Sequence, residues 1–211
     1  MDKDTVYPHL TECAAEAARI AQGVAAGQLP APTPCTDWDV RGLANHLVLY
    51  TSHGLEHRAL RKPLPDALAS RDFTADTDWA ARYAAQLDRA LTAWSDPAVW
   101  EGEVDLGFTT MPAAEIASLI TKELAVHGWD LARATGQEHR ISDGAGALVL
   151  AVVEQHADVY RQYDGFATPV PAPDSAPAFR RALAATGRDP GWTARTGPGV
   201  PGIQLPRVAP S

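Results

Sequence analysis

Apolar positions recur every three to four residues through most of the chain, a spacing typical of amphipathic α-helices. Proline and glycine interrupt the pattern and divide it into segments. Thr36 and Asp39 resemble a capping box, with the hydroxyl at the N-cap of the second helix. Between residues 100 and 110 a short β-like stretch predicts a strand or an extended crossing segment. The predicted helices cover residues 5–26, 36–60, 77–94, 112–136, 144–163 and 177–186.

Four long helices and few strands predict an all-α fold: a four-helix bundle with extra C-terminal helices and a short extended segment. The connections before the third and fourth helices are long, which argues against an up-down-up-down order with tight turns. We expect residues 1–165 to form the bundle and residues 166–192 to form a linker and a short helix packed on it. Residues 193–211, rich in proline and glycine, are expected to be a surface or disordered tail.

Composition narrows the classes of function. The net charge of −8 argues against nucleic-acid binding, which requires a basic face. No apolar run approaches the roughly 18 residues that cross a membrane, and the first residues lack the pattern of a secretory signal. Two cysteines, Cys13 and Cys35, are too few for a disulfide framework, so a cytoplasmic location is expected. The fifth and sixth helices fit either a cap over the bundle or a homodimer contact.

The fourth helix carries the most informative polar residues. At about 100° per residue, Glu123, His127 and Asp130 fall in the middle of its apolar face. A buried carboxylate needs a cation, a proton or several hydrogen-bond donors. Glu and His four residues apart project side by side, which lets both hold one metal ion. A buried Glu–His hydrogen bond, with Asp130 orienting the imidazole, explains the same pattern, so both interpretations stay open.

A third metal ligand has to come from another helix, and His46 on the second helix is the best candidate. It lies on the shoulder of that helix's apolar face. Two histidines and one glutamate are a zinc set of the catalytic type, with positions left for water or substrate. The same ligands suit nickel, manganese or ferrous iron, so ligand identity does not choose the metal.

His53 and His57 form another pair four residues apart on the second helix, and helical phase aligns both with His46. On a straight helix His57 would lie about 16 Å from His46, so one ion does not take both. The pair fits a second site, acid/base groups in a pocket, or solvent-facing residues near the helix end. Cys35 precedes the predicted helix, where the dipole lowers a thiol pKa, so a reactive thiol and a cysteine packed beside Trp38 both fit.

Three segments carry a resemblance to a known family. They read PTPCTDWDVRGLANHLV at residues 32–48, ELAVHGWDLARATGQ at 123–137 and ATGRDPGW at 185–192. They are similar to DinB/YfiT-like metal-binding bundles, and more narrowly to stand-alone actinobacterial proteins related to the N-terminal domain of mycothiol-dependent maleylpyruvate isomerase. The resemblance spans roughly residues 5–192. It implies one divalent metal, most often zinc, held by His46, Glu123 and His127. Asp130 would then contact a ligating histidine without binding the metal itself.

The resemblance also implies a reaction class. Similar proteins use the metal to bind and activate a low-molecular-weight thiol, which then adds to an electrophile. This implies a thiol transferase or isomerase-like enzyme, with mycothiol as cosubstrate, a small electrophile as substrate and His53 or His57 moving protons. The isomerase's α/β C-terminal domain has no counterpart in these residues, so we do not carry over maleylpyruvate isomerisation. The alternatives are a non-catalytic metal- or small-molecule-binding stress-response module and a purely structural metal.

Overall fold

The computed structural model describes residues 1–107 and 109–194. Within them the chain is predominantly helical, and its strands β1 (Glu103–Asp105) and β2 (Thr110–Pro112) form one antiparallel hairpin. The predicted all-α class is therefore confirmed, with the β-like stretch forming the hairpin. The helices are α1 Lys3–Gln22, α2 Val40–His46, α3 Gly54–Ala59, α4 Asp66–Ala69, α5 Trp79–Trp94, α6 Ala113–Thr135, α7 Asp143–Gln162 and α8 Ala178–Ala185.

A π-helical segment, Leu47–His53, joins α2 to α3 in one continuous rod. His46 and His53, at its two boundaries, both keep right-handed helical backbone angles, so the rod has no break. Within the segment, the hydroxyl of Thr51 donates to the carbonyl of Leu47 at 2.6 Å. Such back-bonding supplies a partner to a carbonyl in a stretch of altered helical bonding. The regular α-helix predicted across 36–60 is therefore corrected to a rod with a π-helical centre.

The N-cap of the rod lies three residues later than predicted. Asp39, and not Thr36, is the N-cap residue, because its carboxylate accepts a hydrogen bond from the backbone N–H of Gly42 at 2.8 Å. The first helix ends earlier than predicted, at Gln22, where Gly23 is the C-cap. Gln137 caps the C-terminus of this helix, because its side-chain amide donates a hydrogen bond to the carbonyl of Ile20 at 2.9 Å.

The bundle consists of α1, α5, α6 and the α2–α3 rod. Helix α1 packs against α5 and α6, and the rod packs against the same two helices from the opposite side. Helix α7 covers α6 and α1 on the outside, and α8 packs on α7. The largest fully buried side chains, which form the centre of the core, are Trp94, Tyr83, Leu10, Ile20, Leu43, Leu47, Leu55, Leu87, Leu124 and Leu131.

After α7 the chain returns to the bundle as a segment that we call the C-terminal arm, residues 166–192, which includes α8. Its backbone turns on itself where the Val170 N–H donates to the carbonyl of Ala184 at 3.0 Å. Of the tail predicted for 193–211, residues 195–211 lie outside the described part of the chain. No helix in the described part is long and apolar enough to cross a membrane.

Candidate metal centre

Helix α2 presents His46 at its last residue, directly before the π-helical segment. The imidazole packs against two aromatic rings, with the centre of the Trp38 ring 4.5 Å away and that of the Tyr50 ring 5.0 Å away. Burial lowers the pKa of His46 despite the neighbouring carboxylate of Glu123. This ring is therefore held in place by packing and favours the neutral form in which histidine binds metals.

Helix α6 presents Glu123 and His127 one turn apart, facing His46. The Oε2 atom of Glu123 lies 3.1 Å from Nε2 of His46 and 3.2 Å from Nε2 of His127. The three candidate ligand atoms all lie within 4.8 Å of one another. Ligand atoms of one tetrahedral zinc lie roughly 3.4 Å apart, because Zn–N and Zn–O bonds are about 2.0–2.2 Å long. The donor set and its spacing therefore fit a divalent ion.

Glu123 is ionised in this arrangement. Burial would raise the pKa of its carboxyl group, but Lys122, His127 and His46 together hold that pKa well below its usual range. The ammonium of Lys122 contacts Oε1 of Glu123 and lies 4.1 Å from the ring centre of Tyr160. Lys122 is 2% exposed, so this is a buried ion pair. It leaves Oε2 directed towards the two histidines.

Asp130 orients His127 from the other side of the ring. Its Oδ2 atom lies 3.0 Å from Nδ1 of His127, and its side chain is fully buried. Arg188 of the C-terminal arm holds the same carboxylate through two of its guanidinium nitrogens, with Nε–Oδ1 and Nη2–Oδ2 distances of 2.8 Å each. Burial would raise the pKa of Asp130, but Arg188 and His127 lower it below its usual value. The carboxylate is thus available to accept the Nδ1–H of His127.

Among the described residues, two cavities are seen to reach the cluster. The arm-side cavity, of about 290 Å³, is lined by Cys35, Asp37, Tyr160 and Arg188 and by all three candidate ligands. The hairpin-side cavity, of about 250 Å³, touches His46 and Glu123. Its remaining walls are mostly apolar and come from the hairpin, α6, α7 and the rod: Tyr50, Arg58, Leu106, Met111, Ile116, Leu119, Ile120 and Tyr160. The cluster is therefore reachable by small molecules from two sides.

His53 and His57 lie away from the cluster. The ring of His53 stacks on Phe73, with centres 5.4 Å apart, in a cavity lined by neither Glu123 nor His127. Nδ1 of His57 lies 2.9 Å from the carbonyl oxygen of Pro63, at a groove on the surface. The π-helical segment changes the helical phase after His46, which is why the angular alignment of the three histidines fails. Neither residue is placed to move protons at the cluster.

Of the two interpretations that the sequence left open for Cys35, the structure does not favour the reactive thiol. The rod begins only at Val40, so the thiol does not stand beside a helix N-terminus. Burial raises its pKa to about 11, which makes it a poor nucleophile. Its sulfur also lies within 4.8 Å of ligand-type atoms of His127 and Asp130. Because Arg188 already occupies Asp130, we favour the packed-cysteine interpretation over a second metal set.

Sequence reasoning missed Lys122 and Arg188. Lysine is rarely buried, and the position next to Glu123 on a helix carries no signal that it contacts the same carboxylate. Arg188 lies in the ATGRDPGW segment, which the sequence marked only as part of a family resemblance. Arg188 contacts Asp130, 58 residues away in the chain, only because the C-terminal arm returns to α6.

The fold and the cluster together define a class, the helical bundle with inward-facing His and Glu side chains suited to a metal. Residues 10–132, more than half of the chain, match the family of the mycothiol maleylpyruvate isomerase N-terminal domain. The chain belongs to this family, as its motifs indicated.

Relatives of this chain are found in Mycobacterium tuberculosis. The uncharacterized proteins MT0763, from strain CDC 1551 / Oshkosh, and Rv0738, from strain ATCC 25618 / H37Rv, are each 29% identical to it over 177 residues. The alignments cover 81% of this chain and 91% of the relatives. No solved structure matches the chain.

Proposed function

We propose that the protein binds one divalent metal ion, zinc in the first instance, through His46, Glu123 and His127. The observation that carries the proposal is that Oε2 of Glu123 lies 3.1–3.2 Å from the Nε2 atoms of both histidines. Asp130 supports it by accepting from Nδ1 of His127, which directs Nε2 into the cluster. Three protein ligands and an adjoining cavity are typical of zinc sites that bind a further molecule.

We further propose a metal-dependent thiol transferase or isomerase-like reaction, with mycothiol as cosubstrate and a small electrophile as substrate. The family supports the thiol, because the matching domain takes its name from mycothiol maleylpyruvate isomerase. A divalent ion supplies one element of this chemistry, a lower pKa for a thiol that coordinates it. The chain's own residues supply the surfaces that bind the two substrates and the charged side chains that orient them.

The two cavities suggest a division of roles between the substrates. The arm-side cavity offers charged groups, among them Asp37 and Asp164, which suit a hydrophilic thiol. The hairpin-side cavity is mostly apolar, and Arg58 is the cation on its wall. It therefore suits an electrophile with a short apolar body and an anionic group. Both cavities include His46 and Glu123, so the two molecules would meet at the cluster.

A non-catalytic binding protein is the second candidate, and one observation favours it. Apart from the ligand histidines, no histidine of the described residues lines either cavity at the cluster. Histidine is the side chain best suited to proton transfer near neutral pH. A protein that only binds a metal or a small molecule requires no such group.

Metal content decides the first part of the proposal. Purified, zinc-loaded wild type should carry about one zinc ion per chain, and His127→Ala should carry almost none after the same dialysis. His156→Ala is the matched control, because His156 lies on α7 beside Glu115 and outside the cluster. Elemental analysis of all three proteins gives the result. Equal zinc in wild type and His127→Ala would refute the metal site.

Activity decides the second part. The zinc-loaded chain is incubated with mycothiol and a panel of electrophiles, and both loss of free thiol and conversion of the electrophile are followed against a protein-free blank, because an isomerase-like reaction releases the thiol again. Turnover that His127→Ala lacks and His156→Ala keeps supports the enzyme. A zinc-loaded wild type that turns over nothing across a broad panel supports the non-catalytic candidate instead.

A further inference from the structure

The C-terminal arm reaches the candidate metal centre with one side chain, Arg188. The arm turns sharply at Gly187, whose φ of +85° is a left-handed conformation that glycine adopts readily. A Cβ atom there would lie 2.6 Å from Cβ of Ala167, so the turn also depends on the missing side chain. The backbone N–H of Arg188 then donates to the carbonyl of Leu183 at 3.0 Å. The turn directs the guanidinium towards α6.

The guanidinium of Arg188 is almost completely engaged. Nε and Nη2 each lie 2.8 Å from an oxygen of Asp130, and Nη1 lies 3.1 Å from the hydroxyl of Thr186. Arg188 is 8% exposed and Asp130 is fully buried. A two-pronged pair of this kind fixes the plane of the carboxylate as well as its position.

That carboxylate determines how His127 faces the cluster. Oδ2 of Asp130 lies 3.0 Å from Nδ1 of His127, so Nε2 points at Glu123. A carboxylate that holds the outer nitrogen of a ligating histidine fixes its tautomer and orientation, and raises its basicity. Nη2 of Arg188 lies 3.5 Å from Nδ1 of His127, but its contacts with the carboxylate are closer, at 2.8 Å, so Arg188 acts on the imidazole chiefly through Asp130.

We propose that Arg188 is a positioning residue for the metal ligand His127, and that the C-terminal arm thereby completes the metal centre. This inference rests on the proposed metal site. Docking of the arm does not depend on Arg188 alone, because Arg133 of α6 donates through Nε to the carbonyl of Trp192 at 2.8 Å. Residue 188 also lies beyond the segment 10–132 that matches the family. The side chain that fixes Asp130 therefore comes from a part of the chain outside the match.

Zinc affinity of the full-length chain tests the proposal, measured by competition with a chromogenic chelator. Arg188→Gln should bind zinc about 10–100-fold more weakly than wild type, the usual effect of losing such an outer partner. Arg188→Lys keeps the charge without the two-pronged geometry and should show an intermediate loss. Arg133→Gln is the matched control: it removes an anchor of the arm without touching Asp130, and should bind zinc like wild type.

A double-mutant cycle separates positioning from general stability. Because Arg188 acts through Asp130, Arg188→Gln should have little further effect on zinc affinity in an Asp130→Asn background. Circular dichroism of each metal-free variant tests whether that variant is folded. Should Arg188→Gln not fold, Arg188→Lys measured against Arg133→Lys carries the test, and only the former should lose affinity.

Three results overturn the inference while leaving the proposed metal site intact. Wild-type affinity in both Arg188 variants would do so, as would an equal loss in the Arg133 control. An undiminished effect of Arg188→Gln in the Asp130→Asn background would mean that Arg188 acts by another route. If His127→Ala binds zinc as tightly as wild type, the proposed metal site fails and the inference falls with it. If His127→Ala loses zinc and the Arg188 variants do not, only the inference fails.

Discussion

His139 should make the protein sensitive to mild acid. Its imidazole stacks on Phe179 of α8, with ring centres 5.1 Å apart. On its other side it packs close to Gly128 of α6, where an added Cβ atom would lie 3.6 Å from Nε2 of His139. It therefore sits between the helix that carries the candidate ligands and the C-terminal arm. Burial lowers its pKa to about 4. Protonating His139 should loosen the contact between α6 and the arm.

The sign and size of the effect follow from this pKa. Burial is the main cause; Arg19 also lowers the pKa, whereas Glu16 and Asp130 raise it. Because the unfolded chain takes up this proton near pH 6.5 and the folded chain only near pH 4, acid favours unfolding between these values. The stability is complete above pH 6.5 and lost as the pH falls towards 4. The loss is about 2 kcal/mol at pH 5 and at most about 3 kcal/mol below pH 4.

Urea denaturation of wild type and His139→Gln, at pH 7.5 and pH 5.0 with a chelator present, measures the difference. The chelator removes any contribution from metal binding. Wild type should lose about 2 kcal/mol more of its unfolding free energy than the variant between the two pH values. Other histidines titrate in both proteins and cancel in the comparison. Parallel losses in the two proteins would refute the reasoning.

Three further substitutions have defined outcomes. Lys122→Met leaves Glu123 without its buried cation, so the unfolding free energy of the metal-free chain should fall by about 3–5 kcal/mol, and zinc should restore part of it. Urea denaturation with and without zinc checks this, and unchanged stability would contradict it. Arg58→Gln should lower kcat/KM roughly 10–100-fold for electrophiles with a carboxylate and leave neutral electrophiles unaffected; an equal loss for both kinds would argue against an anion-binding role. Gly187→Ala should lower the unfolding free energy by about 1–3 kcal/mol, because the added Cβ meets Ala167 at a positive φ. Unchanged thermal denaturation would exclude strain at this turn.

Much of the helical framework was readable from the sequence. Helices α5 and α6 match predictions made from periodicity, and for α6 also from Pro112 and Gly136 at its ends. The prediction for α1 was wrong at its end, because Gln137 closes the helix at Gly23 from a distant part of the chain. The π-helical centre of the rod was also missed. No simple pattern of apolar residues distinguishes i→i+5 from i→i+4 bonding.

The candidate site was readable in part. Helical phase placed Glu123 and His127 on the inner face of α6, because periodicity acts within one helix. It only nominated His46, since a contact between helices depends on how they pack. Lys122 and Arg188 were beyond reach for the same reason. The ion pair of Lys122 with Glu123 depends on burial by α7, and that of Arg188 with Asp130 depends on the turn of the arm.

The π-helical segment Leu47–His53 has a consequence for changes in chain length. A π-helical turn closes through i→i+5 bonds and so holds about one residue more than an α-helical turn. The rod therefore stores a spare residue beside His46. A homologue with one residue fewer between His46 and Gly54 would form an ordinary α-helix there while keeping both ends of the rod in place. Length variation is thus accommodated next to a candidate ligand without displacing it.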